Sequence, residues 1–155
     1  MVTWAVLGVN LLVWLGMSAS GGSKDPDVLL KFGALFGPYI AEQQYWRLFT
    51  AMFLHVGFIH LALNGFALML FGRLVERLFG PFKFLILYVI AGLAASVSSY
   101  LFDGLSVGAG ASGAVFGILG ALAAFFVLQR NRFGQLARQN LWFIGLMIGV
   151  NLWIG

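Results

Sequence analysis

Apolar residues run through this chain in long blocks that charged residues interrupt only at intervals. A helix that spans a bilayer needs about 20 consecutive, mostly apolar residues. The blocks therefore predict five spans, at about residues 3–19, 54–72, 84–102, 111–129 and 139–155. Because these spans and their short connections take up nearly the whole chain, we expect one all-α domain over residues 1–155, a polytopic membrane helix bundle.

The first apolar block ends in the breaker-rich run 18–23, Ser-Ala-Ser-Gly-Gly-Ser. Small residues after an apolar run also fit a cleaved signal peptide, which is the alternative here. A signal peptide begins with a basic region, whereas residues 1–4 carry no basic side chain. The sequence favours a retained first helix.

The segment 20–53 is more polar than the spans around it. It contains six charged residues, Lys24, Asp25, Asp27, Lys31, Glu42 and Arg47. Its apolar patch at residues 32–40 is too short to cross a bilayer. We expect an interfacial first loop that dips into the headgroup region, and a loop of this length without structure of its own is often functional.

Composition supports the membrane interpretation. Of the 155 residues, 61% are hydrophobic and only 9% are charged, whereas soluble domains carry about 25% charged residues. So few charges cannot cover a surface that faces water. The absence of cysteine excludes disulfides and thiolate metal sites, and no metal or organic cofactor is implied.

The charges of the connections alternate along the chain. Basic residues follow the second and fourth spans, namely Arg73, Arg77, Lys83, Arg130, Arg132 and Arg138, while the connections after the first and third spans are nearly neutral. The positive-inside rule then predicts a cytoplasmic N-terminus and an outward-facing first loop, and we expect a multi-pass protein of the plasma (inner) membrane. The net charge of +4 thus reflects topology, and we expect no nucleic-acid partner.

Ser112 is the first polar residue at membrane depth that needs an explanation. It lies in Gly110-Ala111-Ser112-Gly113, where Gly113 and Gly117 form a GxxxG pair. One interpretation is a packing surface, with the hydroxyl bonded back to its own helix. The other is a nucleophile, because Ser112 begins a span after a glycine-rich loop and the free N–H groups there can stabilise an oxyanion.

His60 and Asn64 are four residues apart and share a helix face. Both can donate hydrogen bonds, so they form either a polar pair between helices or part of a site. His55 is five residues before His60, which on a helix separates the two side chains by about 140°. We therefore expect His55 to point elsewhere and to support the loop.

Trp46 and Arg47 form a third group, at the edge of the second span. An aromatic ring next to a cation at headgroup level is a common membrane anchor. Together, however, the three groups resemble, in their order, the rhomboid family of intramembrane serine proteases. The pair Trp46-Arg47 looks like the family's WR motif, His60 to Asn64 matches HxxxN, and Gly110 to Gly117 matches GxSGxxxG. The resemblance covers roughly residues 40–155.

The resemblance implies a role for each of these residues. Ser112 would be the nucleophile, and His60, Asn64 and the Ser112 N–H would stabilise the oxyanion. Gly110 would keep the loop open beside the nucleophile. The remaining family positions would support the structure: Trp46, Arg47, His55, Gly113 and Gly117.

The same resemblance implies transmembrane proteins of the lipid bilayer as substrates. They would be cut near the outer face at small residues, after entering from lipid past Trp142 and Phe143. It makes no prediction of an oligomeric state.

One part of the family pattern lies outside this sequence. The family's general base is a histidine on a sixth span, and the only histidines here are His55 and His60. We therefore expect this chain to be a fragment that is inactive alone, since a serine without a base is a weak nucleophile.

Two alternatives remain. The first is a catalytically inactive rhomboid-like protein that binds transmembrane helices. The second is a small transporter or channel, which is disfavoured because most spans here lack ionisable groups.

Overall fold

The structure, a computed structural model, describes the backbone of residues 1–154 and the side chains of residues 1–150. Within this range it is all-helical, as the sequence predicts, and its one β-type contact is an isolated bridge between Leu35 and Gly108. The helices are α1 (Val2–Ala19), α2 (Pro26–Phe32), α3 (Gly37–Ala41), α4 (Arg47–Thr50), α5 (Gly57–Ala67), α6 (Arg73–Phe79), α7 (Pro81–Phe102), α8 (Ser112–Leu128), α9 (Arg130–Phe133) and α10 (Gln135–Ile154).

Three helices among the described residues are long and apolar enough to cross a membrane. They are α1, α7 and the continuous helix Gly57–Phe79, in which a π-helical turn, Leu68–Gly72, joins α5 to α6. Large apolar side chains cover the outside of the bundle; Phe58, Ile59, Phe82, Phe102 and Trp142 are each more than 60% exposed. Because such a surface is suited to lipid rather than to water, the prediction of a membrane helix bundle is confirmed.

Helix α8 lies at the centre of the bundle. Its side chains Ile118, Leu119 and Leu122 have no exposed surface. With 17 residues it is about 26 Å long, which is shorter than the hydrocarbon core of about 30 Å. A short central helix can therefore begin below the membrane surface, and its first residue is Ser112.

Helices α7 and α8 approach each other closely because the contact is made by small residues. A Cβ on Gly113 would collide with the methyl group of Ala95, and a Cβ on Gly117 would collide with that of Ala91. The two glycines thus occupy the close helix contact that a GxxxG pair permits.

The first loop is more ordered than its sequence suggests, since it contains α2, α3 and α4. Asp25 caps α2 by accepting the N–H groups of Asp27 and Val28, and Gly33 ends that helix in the left-handed conformation. The expectation of a loop without structure of its own was wrong. Asp25, Pro26 and Gly33 are a cap, a first-turn proline and a C-terminal glycine, which together define a short helix.

Several helix ends lie away from the predicted span limits: α5 begins at Gly57 instead of 54, and α7 begins at Pro81 instead of 84. The second helix continues beyond residue 72 to Phe79, so Arg73, Glu76 and Arg77 are helical. Helix α10 begins at Gln135, before the predicted 139, and Gly155 at the end of that predicted span lies outside the described residues.

Candidate active site

Ser112 is the first residue of α8 and follows the glycine-rich connection 103–111. The helical hydrogen bonds begin with the Val115 N–H, which donates to the Ala111 carbonyl. The N–H groups of Ser112, Gly113 and Ala114 therefore have no acceptor within their own helix. They and the helix dipole create a site that favours negative charge directly beside the Ser112 hydroxyl.

Gly110 separates Ser112 from the second helix, and its φ of +138° is one that L side chains rarely adopt. A Cβ there would lie 2.7 Å from His60 Cε1, 2.9 Å from His60 Nε2 and 3.7 Å from Ser112 Oγ. Only glycine leaves this space free. The imidazole and the hydroxyl therefore face the same small space, each within 4 Å of it.

The loop that holds Ser112 is fixed to the first loop by backbone hydrogen bonds. Leu35 and Gly108 exchange both N–H···O bonds, at 2.8 and 2.9 Å. The Gly110 N–H donates to the Ala51 carbonyl at 2.9 Å, and the Gly37 N–H donates to the Gly104 carbonyl at 2.7 Å. The first loop thus positions the loop that carries Ser112.

His60 and Asn64 lie in the first two turns of α5. The Asn64 side-chain amide donates to the His60 carbonyl at 3.0 Å, while its buried Oδ1 atom has no hydrogen-bond partner. Asn64 is only 2% exposed. The Asn64 amide has a second hydrogen that this bond does not use.

The expectation that His55 points away from His60 was wrong, because His55 is not on the helix. Helix α5 begins only at Gly57, whose φ is +75°, so the 140° separation does not apply. The two imidazole rings meet edge to face with their centroids 5.3 Å apart. His55 is fully buried, and its Nε2 accepts the Ala111 N–H at 3.5 Å.

Arg47 is 7% exposed and connects the parts of the first loop. Its Nε donates to Gln44 Oε1 at 2.7 Å, and its Nη1 donates to the carbonyls of Leu30 and Ala34 at 2.8 and 3.1 Å. Burial lowers the pKa of the Arg47 guanidinium from its ordinary value, an effect that Tyr39 opposes.

The Arg47 guanidinium also lies 4.6 Å from the centroids of the Trp46 and Tyr39 rings. Trp46 itself is 51% exposed. The indole is thus suited to the membrane interface, while the arginine beside it holds the loop together.

A cavity of about 190 Å³ lies on the α7 side of Ser112. Two hydroxyl-bearing residues of α7, Ser96 and Ser99, line it together with Gly110, Ser112 and Gly113. In the part of the chain that the structure describes, no group of three histidine, cysteine or acidic side chains is placed to hold a metal ion.

The structure brings Ser112 and His60 together beside Gly110, and His55 contacts the His60 ring and the Ala111 N–H. Asn64 lies one turn beyond His60 and bonds to its carbonyl. The structure places Trp46 and Arg47 in the first loop, where, among the described residues, Arg47 bonds to others of that loop and not to the Ser112 loop. Sequence reasoning missed Leu35, Ala51, Gly108, Ser96 and Ser99. The first three act through backbone atoms, which leave no signal in side-chain identity, and the two serines are ordinary residues in an apolar helix.

Comparison with known proteins gives consistent matches. The family model of the Rhomboid domain matches residues 42–155. The chain is 37% identical over 153 residues to "Rhomboid protease GluP" of Bacillus subtilis, covering 99% of this chain and 29% of that protein. It is 46% identical over 96 residues to "RHOMBOID-like protein 5" of Arabidopsis thaliana, covering 61% of this chain and 31% of that protein. It is 40% identical over 93 residues to "Putative rhomboid protease YdcA" of Bacillus subtilis, covering 59% of this chain and 46% of that protein. The chain thus spans less than half the length of each of these relatives.

Proposed function

Since this chain belongs to the rhomboid family, we propose that it forms the core of an intramembrane serine endopeptidase that cleaves transmembrane segments near the outer face of the membrane. One observation carries the proposal. The Ser112 hydroxyl and the His60 imidazole both lie within 4 Å of the space that Gly110 leaves open, at the N-terminus of α8. A nucleophile and hydrogen-bond donors for an oxyanion therefore share one small space.

In the first step, Ser112 Oγ attacks the scissile carbonyl carbon of the substrate, and the carbonyl oxygen becomes an oxyanion. The Ser112 N–H, the His60 ring and the free amide hydrogen of Asn64 donate hydrogen bonds to that oxygen. Donors of this kind act where charge develops, and the loss of one typically costs about 10²–10³ in kcat.

The Ser112 proton must pass to a base and then to the leaving amine. His55 is poorly placed for this role, because its Nε2 already accepts the Ala111 N–H. We propose a histidine on a sixth span of the full-length protein, as the family resemblance implies. Each of the matched relatives is more than twice as long as the stretch of it that this chain covers. Water then hydrolyses the acyl-enzyme and regenerates the serine.

The cavity beside Ser112 supports a preference for small substrate side chains. At about 190 Å³ it is smaller than the pockets of about 300–1,000 Å³ that hold drug-sized ligands. Its two serine hydroxyls also provide hydrogen bonds for the water that hydrolysis needs. The substrate helix must unwind locally, because a helix protects its carbonyls from a nucleophile.

The experiment that tests this proposal is cleavage of a model transmembrane substrate by the full-length protein in liposomes. We expect Ser112→Ala to abolish cleavage. Ser106→Ala, which removes an exposed hydroxyl from the same loop, is the matched control and should cleave normally. Undiminished cleavage by Ser112→Ala would refute the assignment. A native protein that binds the substrate without cutting it would favour the helix-binding alternative.

A further inference from the structure

A groove with two arginines lies at the end of the second helix that is remote from His60. Arg73 and Arg77 are one turn apart on α6 and line a groove of about 290 Å³ with Met69, Leu70 and Leu74. Arg73 is 13 residues beyond His60, which corresponds to about 20 Å along a helix. The groove is therefore separate from the space around Ser112.

The positive charge of this groove is not neutralised by the acidic residue on the same helix. Glu76 is 5% exposed and accepts hydrogen bonds from Val2 and Thr3 at the start of α1. Arg73 lies 5.5 Å from the Trp4 ring centroid, and its buried Nε has no hydrogen-bond partner. Arg77 is exposed. The groove thus offers the positive charge of two arginine side chains.

The wall of the groove toward the membrane centre is apolar and open. Met69 is 36% exposed, Leu70 is 40% exposed, and Phe66 one turn earlier is 51% exposed. The π-helical turn Leu68–Gly72 lies directly before Arg73, and such turns occur frequently at functional sites. A cationic end beside an apolar strip matches a molecule with an anionic head and a hydrocarbon chain.

We propose that this groove binds an anionic phospholipid, with the phosphate on Arg73 and Arg77 and an acyl chain along Met69 and Leu70. The planar guanidinium group donates two parallel hydrogen bonds to phosphate oxygens. Basic pockets at the cytoplasmic ends of spans recognise such headgroups, and the positive-inside rule assigns this end of the helix to the cytoplasm. The bound lipid would hold the second helix in a fixed position relative to α1 and the bilayer.

The test is a titration of the full-length protein in detergent, with the thermal unfolding midpoint as the readout. The probes are phosphatidylglycerol, phosphatidylcholine and inorganic phosphate, each added alone. Of the three probes, we expect only phosphatidylglycerol to raise the thermal unfolding midpoint. Arg77→Gln should weaken the apparent affinity for phosphatidylglycerol at least about tenfold, which corresponds to about 1.4 kcal/mol, because it removes a charge-assisted hydrogen bond to the phosphate.

The control is the double variant Arg130→Gln/Arg132→Gln, which removes two exposed basic side chains from another connection. Phosphatidylglycerol should raise the unfolding midpoint of this variant as much as it raises that of the native protein. An equal loss in the control would show general charge attraction and overturn the proposal. An equal rise with phosphatidylcholine, or with inorganic phosphate, would also overturn it. Arg77→Gln is preferred to a change at Arg73, because Arg73 packs on Trp4.

Discussion

The imidazole of His60 occupies the space that a side chain on Gly110 would need, with its Cε1 atom 2.7 Å from the ideal Cβ position. The same position lies 3.7 Å from Ser112 Oγ. Gly110 therefore determines how closely the second helix approaches Ser112.

Gly110→Ala should reduce cleavage by the full-length protein by about 100-fold, because a displacement of about 1 Å near reacting groups has an effect of that size. The methyl group would push His60 away and strain a backbone whose φ is +138°. The measurement is the initial rate of cleavage in liposomes. Gly22→Ala is the control, since Gly22 has a similar φ of +123° and open space around its Cβ position. A Gly110→Ala variant as active as Gly22→Ala would contradict this account of the site.

Gly117→Ala should destabilise the bundle by about 1–3 kcal/mol through overpacking, because its methyl group would collide with that of Ala91. Ala91→Gly in the same chain should restore part of that loss, although a glycine in a helix costs about 1 kcal/mol relative to alanine. The free energy of unfolding in micelles is the readout for this double-mutant cycle. Gly120→Ala is the control, since nothing lies within 4 Å of its Cβ position. If the losses in the free energy of unfolding of Gly117→Ala and Ala91→Gly simply add in the double variant, these two residues are not in contact.

Glu76→Gln should lower the free energy of unfolding by about 1–3 kcal/mol. The Glu76 carboxylate accepts the Val2 N–H at 2.6 Å, the Thr3 N–H at 3.0 Å and the Thr3 hydroxyl at 2.6 Å. It thereby caps α1 from a different helix. Thr3→Val in the Glu76→Gln background should have less effect than it has alone. Glu42→Gln, which neutralises an exposed carboxylate, should be close to neutral, and an equal loss in both glutamine variants would point to net charge instead of the cap.

Arg47→Lys should loosen the first loop. A lysine carries one ammonium group and cannot reproduce the guanidinium's hydrogen bonds to Gln44, Leu30 and Ala34. We expect amide hydrogen exchange across residues 20–47 to accelerate at least about tenfold, which corresponds to about 1.4 kcal/mol. Arg138→Lys makes the same exchange at an exposed site and should leave the first loop unchanged. Native exchange rates in Arg47→Lys would show that the arginine does not hold the loop.

The helical fold could be predicted from the sequence because the signal for a membrane span is strong and local. A charge-free block of about 20 residues needs no knowledge of its neighbours. The start of α8 at Ser112 could be predicted for a similar reason, since glycines and a small polar residue before an apolar block mark a helix N-terminus.

The arrangement of the site was harder to predict because it depends on contacts between distant residues. The relation of His55 to His60 was misjudged because no residue before Gly57 marks that position as the start of the helix. The bonds between Leu35 and Gly108 run through backbone atoms, which any residue supplies. Glu76 lies between the basic residues Arg73 and Arg77 in the sequence, and only the packing of α1 shows that it is a cap.

The most direct test of the central claim is labelling of the full-length protein with a fluorophosphonate, followed by mass spectrometry of its peptides. An activated serine forms a covalent adduct with this probe, whereas an ordinary hydroxyl does not. The proposed mechanism predicts an adduct at Ser112 and none at Ser96, Ser99 or Ser106. The variant His60→Ala should reduce the extent of labelling, and Ser112→Ala should abolish it. A folded full-length protein that stays unlabelled at Ser112 would contradict the assignment of this residue as the nucleophile.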